Sequence, residues 1–389
     1  MNRSLATPPA VGIVGAGQLA RMLIEAAIPL GVTIHLLAAD PDDAAALVSP
    51  NVVVGSPAAI EPLLQLARVS DVLTFDHELV DVPVLRRLEA EGVRMRPSAE
   101  TVAIAQDKGR QRALFAAHGF PMPAYRPIRA PEELVEFGMQ HGWPVVAKAE
   151  RGGYDGRGVW LVNAPASAKR LAVEVLASGT ALLVEERIPI DCELAVLVAR
   201  RPDGEAVVYP VVETVQREGI CHEVIAPAPI PTEIAAEVRR LALAVAEAVK
   251  LTGVLALELF LANGALTINE IAARPHNSGH YTIEGCVTSQ FENHLRAVLD
   301  LPLGVTDLLA PAVATANVLA GPQTGNLAAN LPAALAVPGV RVHLYGKAAR
   351  PGRKVGHVTA LGAEMNEARG RALKAASLLS GCTSTEVPV

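Results

Sequence analysis

The sequence predicts a mixed α/β and α+β protein of more than one domain, on three observations. The first hundred residues alternate short apolar strands with amphipathic helices, the pattern of a parallel βαβ layer. From Ala181 onward, strand-like segments follow one another at turn-length spacing, which suits antiparallel pairing. At 389 residues the chain exceeds one ordinary core, so two or three domains are expected.

In order along the chain, Val11 to Val14 forms a first strand, Gly15-Ala16-Gly17 a turn, and Gln18 to Pro29 a helix with Leu19, Leu23 and Ala27 on one face. Val32 to Ala38 is the second strand, closed by Ala39-Asp40-Pro41-Asp42, and Val69 to Phe75 a further one, ending in Asp76-His77-Glu78. Ligands of a parallel sheet lie at the carboxyl ends of its strands, here beside Gln18, Asp40 and Glu78. Ser98 caps a helix running toward Lys108, a second helix covers Arg110 to His118, and Pro131 opens a third at a tolerated first-turn position. Val145 to Lys148 and Gly158 to Val162 are strands flanking a glycine-rich loop. Leu182 to Glu186, Glu193 to Arg200 and Val207 to Val212 are strands, Thr232 to Lys250 is a helix, and Gly253 to Ile268 is a hairpin turning at Asn263-Gly264. Beyond Asp300 a smaller unit is marked by Leu344 to Thr359 and a closing helix at Ala372 to Leu379.

A hydrophobic content of 51% with 19% charged residues is globular, and a net charge of −6 argues against a general nucleic-acid surface. No uncharged apolar run reaches the roughly 20 residues of a spanning helix, and Met1-Asn2-Arg3-Ser4 leads into a strand without a signal-peptide core. Cys192, Cys221, Cys286 and Cys382 share no metal-ligand spacing and suit reduced thiols in a cytoplasmic protein. Of 34 lysines and arginines only seven are lysines, and Lys108, Lys148, Lys347 and Lys354 fall in segments with other chemical marks.

Four glycines occupy Gly152 to Gly158, just after the strand that ends at Lys148. Glycine lets backbone N–H groups approach anionic oxygens, and lysine adds a compact positive charge, so the pair suits a polyphosphate; a plain hairpin turn is the alternative. Glu258 and Glu270 lie in apolar strands on the two sides of one hairpin. Unpaired burial of carboxylates is costly, and a shared Mg²⁺ bridging to phosphates would satisfy both, unless one simply faces solvent. With a two-residue turn alone Glu258 would oppose Asn269, so a three-residue loop or a bulge is expected to bring it opposite Glu270. The polar run Arg274 to Thr282 follows at once. His276 and His280 are four apart, but Pro275 and Gly279 argue against a helical zinc pair. Lys347, Arg350, Arg353, Lys354 and His357 crowd one short segment, as a ribose 5-phosphate would require; a solvated basic loop is the alternative. Gly15-x-Gly17-x-x-Ala20 with Asp40 resembles a dinucleotide fingerprint, which makes a dehydrogenase the rival enzyme class.

With these residues assembled, the chain resembles an ATP-grasp ligase, and more closely the N5-carboxyaminoimidazole ribonucleotide synthetase (PurK) family. The matching segments are residues 15–19, 152–158, 269–272, 274–282, 289–292 and 350–357. The resemblance implies an ATP-grasp fold with a Rossmann-like pre-ATP-grasp domain (1–105), an ATP-grasp domain (106–300, divided at 182/183) and a small C-terminal domain (301–389). It also implies ATP- and Mg²⁺-dependent (Mn²⁺ as substitute) carboxylation of 5-aminoimidazole ribonucleotide with bicarbonate, through carboxyphosphate, in a cytoplasmic homodimer free of nucleic acid and membrane.

Carried over to matching positions, Lys108 and Lys148 contact ATP phosphates, with Asn269 and loop residues Gly153, Gly156 and Gly158 beside them. Glu185 and Glu186 hold the adenine, Glu193 the ribose, and Glu258 and Glu270 the metal. Arg274 stabilises the developing carboxyphosphate. Tyr154, Asp155, Gln18, Glu78, His276, Asn277 and Ser278 face the aminoimidazole nucleotide, and Lys347, Arg353 and Lys354 its phosphate. Three segments depart from the family pattern: Asp76-His77-Glu78-Leu79 for Glu-Phe-Glu-Asn, Ala273 for proline, and Glu213-Thr214-Val215-Gln216 for Glu-Asn-x-His. The related formate-dependent glycinamide ribonucleotide enzyme should lack the run Asn277-Ser278-Gly279-His280. A non-catalytic nucleotide-binding protein should have lost Lys148, Glu258, Glu270 or Arg274.

Overall fold

In the computed structural model, which describes residues 8–153, 156–321 and 324–381, the strands collect into three sheets. The first is parallel. Strands β1 (Ala10–Val14), β2 (Thr33–Ala38), β3 (Val52–Val54) and β4 (Val72–Phe75) lie in the order β3-β2-β1-β4. Helix α1 (Gln18–Ala27) covers one face with Leu19 and Leu23, while α2 (Ile60–Arg68) and α3 (Val82–Ala90) cover the other with Leu63, Leu66, Leu85 and Leu88. β3, α2 and α3 have no counterpart in the sequence-derived elements. β3 is three residues long, too short for a period to register.

Helix α4 (Ala99–Ala105) begins at the Ser98 cap as expected but stops short of Lys108. Asp107 caps a new helix, α5 (Lys108–His118), accepting from Arg110 N at 3.0 Å, and so sets Lys108 at a helix start. A second sheet follows, built from β5 (Tyr125–Ile128), β6 (Val145–Ala149), β7 (Val159–Val162) and β8 (Leu182–Glu186) in the order β5-β8-β6-β7. Helices α6 (Pro131–His141) and α7 (Pro165–Ala177) back it through Leu134, Phe137, Ala168 and Ala172.

The third sheet is antiparallel and holds the remaining nine strands among the described residues. They are β9 (Cys192–Arg200), β10 (Ala206–Val208), β11 (Val212–Arg217), β12 (Ile220–Ala226), β13 (Gly253–Ala262), β14 (Ala265–Ala272), β15 (Ala312–Leu319), β16 (Val340–Leu344) and β17 (Lys354–Gly362). The expected strand Val207 to Val212 is two strands, because Pro210 has no N–H to give a ladder. Helix α8 (Thr232–Ala248) packs on one face. The short α9 (Thr282–Gly285) precedes α10 (Gln290–Leu299), whose Phe291, Leu295 and Val298 join the core under α1. The smaller C-terminal unit joins the central sheet: β15 pairs directly with β12, so β15, β17 and β16 extend it. Helices α11 (Leu327–Leu335) and α12 (Met365–Ser380) pack on this extension through residues such as Ala334, Ala372 and Leu379. No helix among the described residues is long and apolar enough to cross a membrane.

Candidate active site

The β13–β14 hairpin sets the centre. Asn263 and Gly264 make a two-residue turn with φ of 50° and 77°, and a bulge after Glu258 shifts the register. Leu259 pairs with Ile268 but Glu258 pairs with Glu270, which leaves Asn269 as the extra residue. The bulge therefore does what the expected one was required to do, without a longer loop. Glu193 pairs with Phe260 and Ala195 with Glu258 on the adjacent β9. Directly opposed residues share a face, so Glu193, Glu258 and Glu270 project from one side of the sheet.

Three carboxylates in one place repel each other. Burial, reinforced by Glu270 and Glu193, pushes the Glu258 carboxyl well above its usual range. Burial pushes Glu193 up to about 7 against the pull of Lys148. Glu270 behaves oppositely: burial would raise it, but the Lys108 ammonium bonded to it, with Lys148 and His276 nearby, holds it below the usual range. The donor set is all hard oxygen, the chemistry Mg²⁺ prefers. Among the described residues no group of three or more side chains is spaced as a complete metal cage. Such a site suits an ion that takes its remaining ligands from phosphates and water.

The bulged Asn269 serves two cations. Its Oδ1 accepts from Lys148 Nζ at 3.1 Å and its carbonyl from Arg112 Nη2 at 2.6 Å. Glu185, expected at the adenine, places its carboxylate against the same two residues. Arg112 lies at 2.6 Å and Lys148 at 2.7 Å, and all three side chains are buried. Burial would raise Glu185, but Lys148 and Arg112 outweigh it and keep the carboxylate ionised. For Lys148 burial prevails and its proton is held less firmly, since two cations share one anion. Arg112 carries no mark in the sequence beyond standing four residues after Lys108 on one helix face. Glu186 lies further out and accepts from Ala124 N at 3.1 Å.

Beside the carboxylates, Arg274 Nε donates to Glu78 Oε2 at 2.6 Å, tying the central sheet to the end of β4. Burial would lower the Arg274 pKa, and Glu78 more than compensates. His276 accepts from Ser278 N at Nδ1 (3.3 Å) and sets Nε2 3.4 Å from Glu258 Oε1, joining the polar run to the carboxylate cluster. Buried Ser278 reaches His276 Nδ1 through its hydroxyl at 2.9 Å. Asn277 exchanges amide hydrogen bonds of 3.0 and 2.8 Å with Asn317 on β15. Lys354, at the start of β17, acts electrostatically on Glu258. Lys347 bonds to Gln18 at the start of α1, whereas Arg353 donates to Ala348 O at 3.2 Å within its own loop.

The glycine-rich loop leaves β6 with φ of 77° at Gly152, 75° at Gly156 and 73° at Gly158, values that exclude a side chain at little strain. A Cβ on Gly153 would lie 2.8 Å from Arg157 O. Tyr154 and Asp155 lie outside the described residues.

The dinucleotide alternative fails at the start of α1. Asp76, one of the departures from the family pattern, accepts from Gly17 N at 2.5 Å and Ala20 N at 3.0 Å. A Cβ on Gly17 would sit 2.6 Å from the same carboxylate. A pyrophosphate would need those N–H groups, and an internal anion already holds them.

Comparison with known proteins agrees with this arrangement. Residues 9–106 match the ribonucleotide synthetase preATP-grasp domain, 113–291 the ATP-grasp domain, and 314–371 the phosphoribosylaminoimidazole carboxylase C-terminal domain. The N5-carboxyaminoimidazole ribonucleotide synthase of Mycobacterium tuberculosis is 50% identical over 377 residues, covering 96% of this chain and 88% of that one. The carboxyaminoimidazole ribonucleotide synthase of Aspergillus clavatus, solved with ATP, superposes with a TM-score of 0.89 at 36% identity, covering 96% of this chain and 99% of that one. The A. clavatus enzyme solved with ADP and 5-aminoimidazole ribonucleotide gives a TM-score of 0.89 at 34% identity, with the same coverage. An ATP-grasp fold with a preATP-grasp domain before it and this carboxylase C-terminal domain after it, at such identity over nearly the whole length, places the chain in the N5-carboxyaminoimidazole ribonucleotide synthase family.

Proposed function

We propose that the chain couples ATP cleavage to carboxylation of 5-aminoimidazole ribonucleotide by bicarbonate, giving N5-carboxyaminoimidazole ribonucleotide, ADP and phosphate in purine biosynthesis. One observation carries this: Glu258 lies between Glu270, beside the two lysines, and His276, on the polar run that reaches Arg274 and Glu78. An ATP site and an acceptor site thus share one carboxylate.

Lys108 and Lys148 neutralise the transferring phosphates, and Arg112 and Glu185 hold Lys148 in place. Glu258 and Glu270 would hold Mg²⁺, or Mn²⁺ with similar oxygen preference, and Glu193 the ribose. When bound, the ion would neutralise the charge of the transferring phosphate. A bicarbonate oxygen attacks the γ-phosphorus and the bond to ADP breaks, leaving carboxyphosphate. Arg274 stabilises its charge, with Glu78 fixing the guanidinium. Carboxyphosphate separates into CO₂ and phosphate, the exocyclic amine attacks CO₂, and the phosphate takes the amine proton. Gln18, Glu78, His276, Asn277 and Ser278 orient the acceptor, together with Tyr154 and Asp155. Lys347, Arg353 and Lys354 bind its phosphate, and Glu185, Glu186 and the neighbouring backbone the adenine. The domain limits 1–105, 106–300 and 301–389, a homodimeric assembly and a cytoplasmic setting belong to the same proposal.

ADP release with each substrate pair tests it. Turnover with aminoimidazole ribonucleotide plus bicarbonate is expected. Turnover only with glycinamide ribonucleotide plus formate would overturn it.

A further inference from the structure

Three residues on one face of α1 meet the β16–β17 connection in register. Glu25 Oε2 lies 4.0 Å from His343 Nδ1, Arg21 lies against Gly346, and Gln18 bonds to Lys347. Spacings of three and four residues put them on one stripe of the helix. Arg21 is the unexplained member. Gly346 has φ of 71°, and a Cβ built on it would fall 3.0 Å from Arg21 Nη1, so the guanidinium fills the space a side chain would take. The same nitrogen donates to Ala44 O at 3.2 Å, which anchors the group to the loop after β2. Among the described residues Arg21 has no carboxylate partner within ion-pair distance. It stands next to Lys347, in a segment already crowded with Arg350, Arg353 and Lys354.

We propose that Arg21 is a positioning residue for the acceptor's 5′-phosphate. It wedges the Gly346 turn so that Lys347 faces the ligand, and its charge lies behind that of Lys347. This rests on the assignment of Lys347 to the phosphate made above.

The test compares kcat and KM for aminoimidazole ribonucleotide with those for the riboside lacking the phosphate, with ATP and bicarbonate saturating. Arg21→Met is expected to raise KM for the nucleotide about ten-fold, the scale of a charge-assisted contact, with kcat and riboside turnover changed by less than about two-fold. Arg21→Lys should recover most of the loss. Gly346→Ala, which crowds Nη1 with Arg21 intact, should reproduce the KM effect, and the double variant should lose less than the two single losses combined. Equal losses on nucleotide and riboside would overturn the proposal and mark Arg21 as merely structural, as would an unchanged KM. Should Arg21→Met fail to fold, Arg21→Gln decides in its place: a rise in KM confined to the nucleotide supports the proposal, and an effect on both substrates overturns it. Lys347→Met separates the two levels. If it leaves the preference for the phosphorylated substrate intact, the phosphate assignment itself fails. If it abolishes that preference while Arg21→Met does not reduce it, only the role of Arg21 fails.

Discussion

Replacing Glu185 by glutamine should damage the fold and the ATP site together. The carboxylate is the one anion between Arg112, whose side chain is 1% exposed, and Lys148, whose side chain is 9% exposed. Glutamine keeps the shape but takes from two buried cations the carboxylate to which both are bonded. One nitrogen of Arg112, Nη1, already has no partner. Breaking a buried pair from one side costs about 3–5 kcal/mol, a large part of a typical stability of about 5–15 kcal/mol. With a urea dependence of about 1–3 kcal/mol per molar, the midpoint should fall by roughly 1–5 M, followed by circular dichroism. Lys148, already held below its usual range by burial, should hold its proton still less firmly, and ATP binding should weaken with it. Arg112→Met combined with Glu185→Leu should cost less than Glu185→Gln alone, because only Lys148 is then left and it can give up its proton. The acid limb gives an independent check. The Glu185 pKa is depressed in the folded state, so its contribution is complete above the unfolded carboxylate range of about 4.3 and is lost as pH falls through the folded value. A shift of less than about 1 kcal/mol in Glu185→Gln, or strict additivity in the pair, would refute the triad as a buried network.

Two further predictions concern the carboxylates and the first helix. Mg²⁺ should bind more tightly as pH rises toward and past about 7, releasing protons from Glu193 and Glu258, because both are held above the usual carboxylate range. Without metal the sign reverses for stability: a raised folded pKa makes the Glu193 contribution fall as pH climbs from about 4.3 to about 7, and Mg²⁺ should remove that slope. Calorimetric titration and thermal melts across this range check both, and a pH-independent Mg²⁺ affinity would contradict the first. Asp76→Ala removes the two hydrogen bonds at the start of α1 and should cost about 1–2 kcal/mol, a melting-point loss of roughly 2–8 °C. An unchanged melting point would mean that the carboxylate does not cap the helix.

What the sequence discloses follows the range of the interactions. The bulge at Glu258 follows from strand parity alone, once both glutamates must face one ligand, and the structure places it there. Ser98 and Pro131 mark helix starts because caps act within one turn. The break before Lys108 was equally local, in the Asp107 cap, yet the helical pattern runs across it. Arg112 and Asp76 were hidden for a different reason. Their partners Glu185 and Gly17 lie 73 and 59 residues away, and nothing in the surrounding pattern distinguishes them from surface charges. The pairing of β15 with β12 joins residues about ninety apart, and such register is set by packing rather than by intrinsic strand preference. Glu185 is singled out by the resemblance, but its buried pairing with Lys148 and Arg112 is long-range and leaves no mark in the local pattern.

Under the proposed function, ATP activates bicarbonate on the way to the aminoimidazole amine. Turnover with ¹⁸O-labelled bicarbonate tests this most directly, with the released phosphate analysed by mass spectrometry. One labelled oxygen in each phosphate, with ADP formed in step with carboxylated nucleotide, is the predicted result. Unlabelled phosphate at full turnover would contradict it, because the γ-phosphoryl group would then have passed to water or to another acceptor.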